Sequence, residues 1–237
     1  MIRTALALVL ALMTTFAQAA DPVRLVCIGD SITQGRAGKG DRVPTYSWRY
    51  PLWKHCVDAG FNVEMVGSMT TGFEGRPVYE DHAGKSFVNH HEGRWGWTTR
   101  AVADALVDAS KGWTADVAVI FLGTNDKNLK EKNEAPTLQA MRDIVATLRA
   151  RKAEVKIAIG LPFQEWEPFP TLSASYTALA AELSTKESPV IVVPTAQGWV
   201  SKPDKPDTCT VDWVHPNPKG DAHVADRVFA AIKDWLK

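Results

Sequence analysis

From residue 23 onward, short and almost wholly apolar runs alternate with longer segments whose apolar residues recur every three or four positions. The runs at 23–29 (VRLVCIG), 62–67 (NVEMVG), 116–122 (DVAVIFL), 155–160 and 190–193 predict five strands. The helical spacing predicts helices over 48–59, 98–110, 136–152, 173–186 and 218–236. The helix over 136–152 carries Leu138, Met141, Ile144, Val145 and Leu148 on one face. The last helix opens with Asn217 as N-cap and Pro218 in its first turn, a standard start signal. Gly60 stops the first helix, and the polar, Gly-rich stretch 68–97 predicts a long loop.

Strands that are apolar on both sides need a cover on both sides. Alternation with helices therefore predicts an α/β fold, a three-layer flavodoxin-like sandwich with a five-stranded parallel sheet in the order 2-1-3-4-5 and helices on both faces. In such sheets ligands bind outside the carboxyl ends of the strands. The loops after the first, third, fourth and fifth strands should meet at that edge, joined by part of the long loop after the second. There is no internal repeat and no sign of a second domain, so 21–237 is read as one domain.

The first twenty residues follow another pattern. Arg3 gives a basic start, residues 5–13 form a short apolar run, and Ala17-Gln18-Ala19 is a small-x-small cleavage site. This layout predicts a secretory signal peptide over 1–20, with the mature chain beginning at Ala20 or Asp21. The run is shorter than the roughly 20 residues a membrane span needs, so no membrane anchor is expected. The expected location is the periplasm or the extracellular space.

Over 237 residues, Lys+Arg and Asp+Glu both number 27, for a formal net charge of zero. That balance offers no electrostatic case for nucleic acid or an anionic membrane as partner. Three cysteines, Cys27, Cys56 and Cys209, allow at most one bridge and make no disulfide scaffold. Cys27 and Cys56 fall on core positions.

Four polar islands fall in the predicted loops: Gly29-Asp30-Ser31-Ile32-Thr33-Gln34-Gly35, His91-Glu92-Gly93-Arg94-Trp95-Gly96-Trp97-Thr98, Gly123-Thr124-Asn125-Asp126 and Asp212-Trp213-Val214-His215-Pro216. Together they contain the parts of an acyl-transfer site. A serine hydroxyl needs an adjacent base to act as nucleophile, and imidazole suits that task near neutral pH. A carboxylate fixes the imidazole tautomer. Asp212 and His215, three residues apart, can pair across one turn. Glycine N–H groups and an Asn side chain can meet a developing oxyanion. Asp30, Asp126 and Glu92 read as supporting residues that organise their loops. His90, His91 and the set His215, Asp221 and His223 match no zinc spacing, so neither a metal nor another cofactor is expected. Of nine tryptophans, Trp53 and Trp235 have core spacing and Trp113 packs near a strand start. Trp95, Trp97, Trp166, Trp199 and Trp213 fall in loops at the predicted edge, where aromatic rings can stack on sugars. From that set, Trp95, Trp97, Trp166 and Trp213 are the expected substrate-binding residues.

Gly-Asp-Ser after the first strand, a Gly in the second island, Gly-x-Asn-Asp in the third and Asp-x-x-His-Pro in the fourth resemble the four blocks of the SGNH (GDSL) hydrolases, in the same order from Gly29 to Pro216. The resemblance implies a role for each matching position. Ser31 is the implied nucleophile, His215 its base and Asp212 the partner of the base; the Ser31 N–H, Gly96 N–H and Asn125 side chain are the implied oxyanion donors. His-Glu-Gly-x-x-Gly-Trp-Thr is similar to the carbohydrate-esterase branch, notably the acetyl xylan esterases. It implies a serine esterase that removes small acyl groups, acetyl above all, from an acylated carbohydrate. The alternatives are an SGNH lipase, lysophospholipase or thioesterase acting on longer chains, and a carbohydrate-binding protein without catalysis.

Overall fold

The computed structural model describes residues 21–37 and 45–237. The segment 1–20, read above as a signal peptide, lies outside the described residues. Strands β1 (Val23–Gly29), β2 (Val63–Val66), β3 (Glu92–Gly93), β4 (Val117–Phe121), β5 (Lys156–Gly160) and β6 (Val190–Val193) form one parallel sheet in the order β2-β1-β4-β5-β6, with β3 also on β1. The five expected strands thus take the order expected for them. Helices α1 (Ser31–Gln34), α2 (Arg49–Asp58), α3 (Thr99–Ala109), α4 (Ala135–Arg151), α5 (Phe169–Leu183) and α6 (Pro218–Ile232) complete the regular elements, with short 3-10 turns between them.

Successive β1 side chains point to opposite faces, and both faces are buried. Val26 and Ile28 join a core with Ala118, Ile120, Ile157 and Ile159, covered by α3, α4 and α5 through Leu106, Met141, Ile144, Leu172 and Tyr176. Leu25 and Cys27 join the other core with Val119, Phe121 and Ala158, covered by α2 and α6 through Leu52, Trp53, Val224, Val228 and Ile232. Two dry faces are why the strands show no polar alternation. All three cysteines are buried and unpaired, Cys209 included.

Several elements depart from the sequence expectation: α1 falls in a stretch read as a loop, and α6 ends at Ile232 rather than at 236. The 68–97 segment is not a continuous loop. β1 outruns β2, and its last two residues, Ile28 and Gly29, pair instead with Glu92 and Gly93. A two-residue strand has no periodicity to read, so this sixth strand was invisible in the sequence. Helix α5 starts at Phe169, four residues before the expected start. Pro170 reads as a breaker, yet in a first turn proline removes only an N–H that has no helical partner.

Candidate active site

β1 ends at Gly29, and the chain turns at once into the single-turn helix α1. Asp30 caps that turn: its Oδ1 accepts the Ile32 N–H at 3.0 Å. Burial pushes the Asp30 carboxyl up to about 7, helped by the nearby charge of Asp126 and opposed by the Ile32 N–H. The far end of α1 is held by residues that the sequence reading passed over. Ser47 donates its hydroxyl towards the Ile32 and Thr33 carbonyls at 3.2 and 2.9 Å. Arg49, fully buried, donates from Nε to the Thr33 carbonyl at 2.7 Å, from Nη2 to the Gln34 carbonyl at 3.2 Å and from Nη1 to Asn89 Oδ1 at 2.6 Å. The last carbonyls of a helix have no helical partner; a guanidinium and a hydroxyl serve those of Ile32, Thr33 and Gln34 here. The signal existed: Arg49 shares the buried stripe of α2 with Leu52, Trp53 and Cys56, and a charge on an apolar stripe marks a buried partner.

The second element is the turn before α6. Asn217 caps α6, accepting the Gly220 N–H at 2.9 Å. The preceding hairpin is closed by the Thr210 hydroxyl and the Val211 N–H, both donating to the His215 carbonyl at 2.8 and 2.9 Å. Inside it Asp212 uses its two oxygens differently. Oδ1 accepts the backbone N–H groups of His215 and Val214 at 2.7 and 3.2 Å. Oδ2 lies 2.7 Å from His215 Nδ1, and His215 Nε2 lies 2.9 Å from Ser31 Oγ. A carboxylate can only accept, so Nδ1 carries the imidazole proton and Nε2 is left to accept from the serine hydroxyl. Partial burial raises the Asp212 carboxyl, and the hydrogen bonds from the His215 backbone and ring outweigh it, leaving the group below its ordinary range.

The third element is the loop around β3. Glu92 is buried, and its Oε1 accepts the Ser68 N–H at 2.6 Å and the Trp113 indole N–H at 3.0 Å, while Oε2 pairs with Arg94 at 2.6 Å. Gly93 crosses α1 so closely that a Cβ would sit 2.5 Å from the Gln34 nitrogen. The buried His91 accepts the Gly93 N–H on Nδ1 at 3.0 Å and donates from Nε2 to the Thr71 carbonyl at 3.1 Å. Burial and the Arg49 charge hold its ring well below the usual histidine range. Both nitrogens of His91 are thus engaged within the protein, and His223 Nε2 faces the Thr195 carbonyl at 2.9 Å. Gly96 follows with φ +75°, a left-handed conformation that glycine adopts without strain. The N–H groups of Ser31 and Gly96 have no acceptor among the described residues.

After β4, Asp126 accepts the Thr99 N–H and hydroxyl, the latter at 2.6 Å, and so ties this loop to the start of α3. Its burial raises the carboxyl above the ordinary range, against the pull of those Thr99 bonds. The Asn125 amide nitrogen lies 3.1 Å from the Trp97 carbonyl and 3.3 Å from Asp30 Oδ2, which brings it to the cap of α1.

The tryptophans divide. Trp199 is buried, stacked on Phe163 at 3.9 Å, and belongs to the core rather than to the edge. Trp97, Trp166 and Trp213 are exposed by 39, 37 and 47%, enough to meet a ligand. Trp166 and Trp213 touch edge to face at 6.2 Å, which brings the loop after β5 beside the Asp212–His215 turn. Trp213 holds φ +73°, an uncommon conformation for a bulky residue. Trp95 is half-buried and stacks on both His215 and Phe73. Of the four tryptophans expected to bind substrate it is the least exposed. A pocket lined by Trp53, Phe61, Met65 and His90 runs along the β2 edge and includes none of the Ser31, Asn125 and His215 set. Ser31, Asn125 and His215 gather instead at the carboxyl edge of the sheet, beside the loop after β3.

A family model described as GDSL-like lipase/acylhydrolase matches residues 27–223. Among solved structures, the chain is similar to a carbohydrate esterase family 3 protein from Talaromyces cellulolyticus at 24% identity, covering 90% of this chain and 98% of that one, with a TM-score of 0.74. It is similar to a mutant acetyl esterase with an acetate ion at 24% identity, again covering 90% and 98%, with a TM-score of 0.72. A family 3 carbohydrate esterase from Clostridium thermocellum aligns at 20% identity over 91% of this chain and 98% of that one, with a TM-score of 0.70. No curated protein shows a significant sequence match.

Proposed function

The chain belongs to the GDSL-like lipase/acylhydrolase family and is a carboxylic ester hydrolase, and from that premise we propose that it deacetylates a carbohydrate through Ser31, His215 and Asp212. The observation that carries this reading is the continuous line from Ser31 Oγ through the His215 ring to Asp212, at 2.9 and 2.7 Å. Ser31 Oγ attacks the ester carbonyl as its proton passes to His215 Nε2. The Asp212 carboxylate, kept ionised by the bonds it accepts, stabilises the imidazolium. The carbonyl oxygen becomes an oxyanion that meets the Ser31 and Gly96 N–H groups and the Asn125 amide. His215 returns the proton to the leaving sugar hydroxyl, and an acetyl ester remains on Ser31. Water then attacks that ester, gives its proton to His215, and acetate leaves as Ser31 Oγ is reprotonated.

The exposed pair Trp166 and Trp213, with Trp97 beyond Asn125, supports a sugar as the group carrying the ester, since indole faces stack on the apolar faces of pyranose rings. The protein's fold likeness to carbohydrate esterases points the same way. The test is acetate release from acetylated xylan, acetylated pectin and an acetylated monosaccharide. Release from any of them supports the reading. Turnover confined to nitrophenyl esters of octanoyl length or longer would move the protein to the lipase side of its family, with the same three residues. Binding of the polymers without turnover of any ester would leave only a carbohydrate-binding role.

Asn125 is the oxyanion donor with competing acceptors. Its longer contact, 3.3 Å to Asp30, is the one an oxyanion displaces. Asn125→Ala should lower kcat on the order of 10²–10³-fold with a smaller change in KM, because the bond forms fully only in the transition state. Steady-state kinetics on an acetyl ester check this; a KM effect alone would place Asn125 in substrate binding instead.

A further inference from the structure

His215 is held by two hydrogen bonds, one at each ring nitrogen, at 2.7 and 2.9 Å. Such a pair fixes the tautomer but lets the ring rock about the line joining the two partners. A second ring stacked parallel to the imidazole removes that freedom, and Trp95 supplies it: the centroids are 4.8 Å apart and the planes differ by 12°. Trp95 has further contacts of its own. Phe73 stacks on it at 4.5 Å and 21°. The Arg36 guanidinium lies 4.8 Å from the indole. The Trp95 backbone N–H donates to Gln34 Oε1 at 2.7 Å, and Gln34 belongs to α1, the turn that begins with Ser31.

We infer that Trp95 is a positioning residue for His215, holding the imidazole in the plane that joins Ser31 to Asp212 and stabilising the imidazolium through its π face. This rests on the reading of His215 as the base. A cation over an indole is favourable in its own right, and the charge exists only after Ser31 has given up its proton. The contact therefore strengthens as the reaction proceeds, which is the condition for a contact to raise kcat. The charged groups around the pair are few. Asp212 faces the imidazole from its own turn, and the Ser31 hydroxyl faces it from α1. Arg36, 3.8 Å from Glu74, lies over the indole, and Arg94 is paired with Glu92. The loop after β3 thus does two jobs with adjacent residues: Trp95 holds the base and Gly96 offers its N–H to the oxyanion.

The experiment compares Trp95→Phe and Trp95→Leu with the wild type in kcat and in the pH profile of kcat/KM on an acetyl ester. Cation–π contacts of about 0.5–1 kcal/mol correspond to a loss of about two- to fivefold in kcat and a move of the acid limb by about half a pH unit. The Leu variant should lose kcat by about that factor, with its acid limb moved to lower pH. The Phe variant, which keeps a π face, should stay close to the wild type. Fluorescence gives a readout that needs no substrate, because a protonated imidazole quenches the indole it touches. The wild type should show an emission step near the acid limb that is absent from Trp95→Phe and from His215→Asn. A loss of kcat with the acid limb unmoved, or an emission step that survives in Trp95→Phe, overturns the inference. A wild type that shows the step yet hydrolyses no ester would instead refute the role of His215 as base and leave the stack standing.

Discussion

Ser31→Ala is expected to reduce kcat by up to about 10⁶-fold while leaving the fold and most of the substrate affinity in place. The side chain is almost fully buried, and its Oγ pairs with His215 Nε2, a ring that keeps its bond to Asp212 when the hydroxyl is removed. The backbone N–H stays where it is. The variant therefore keeps the three proposed oxyanion donors and the exposed Trp97, Trp166 and Trp213. What remains should be the catalysis that binding and an oxyanion hole supply without a nucleophile, about 10³–10⁴ over water in enzymes of this kind. Two measurements check it: turnover of nitrophenyl acetate, and mass spectrometry of quenched enzyme for an acetyl group on the Ser31 peptide. An Ala variant within tenfold of the wild type would place the nucleophile elsewhere.

Asp212→Asn is expected to cost about 10⁴-fold in kcat near neutral pH, and the turn itself explains why so small a change is so damaging. Oδ1 of Asp212 accepts two backbone N–H groups, from Val214 and His215, and these cannot be served by an amide NH₂. An asparagine in this turn must therefore keep its carbonyl oxygen on the backbone. Its NH₂ then faces His215 Nδ1, which has to accept, so the imidazole proton moves to Nε2. A protonated Nε2 cannot take the proton of Ser31. The hairpin should stay folded, because the bonds that close it from Thr210 and Val211 to the His215 carbonyl do not involve Asp212. Thermal denaturation close to that of the wild type, together with the loss of kcat, would support this account. A loss below about tenfold would mean that Asp212 does not set the tautomer.

Much of this machinery was legible in the chain, but unevenly. The strands that bear the site were readable because a strand buried on both faces is apolar at every position, as in Val117–Phe121. The loops that carry Ser31, Asn125, Asp212 and His215 were readable because polar, turn-forming residues interrupt such runs at once, and because nucleophile, base and orienting acid are few enough in kind to recognise. Arg49 was readable in principle, as a charge on the buried stripe of α2, and passed unread because its partners are the backbone carbonyls of Thr33 and Gln34. A carbonyl leaves no mark in the sequence. The strand Glu92–Gly93 was missed for a related reason, since its partner is the free edge of β1 and only the relative lengths of β1 and β2 expose that edge. Trp199 and Trp95 show the limit for side chains. Both fall in loops at the expected edge, and nothing local says that one turns inward onto Phe163 while the other stacks on His215.

The α/β class, the order of the sheet, the edge where the candidate site forms and the residue types gathered there were all legible in the chain. These follow from periodicity, from the cover a doubly buried sheet demands and from the small set of groups able to transfer an acyl chain. Only the tertiary structure decided which polar groups hold those residues in place: the Arg49 clamp on α1, the division of labour between the two oxygens of Asp212, and the indole of Trp95 against the imidazole of His215. The clamp and the serine–histidine contact join residues 15 and 184 positions apart, through angles and distances that the chain acquires only on packing.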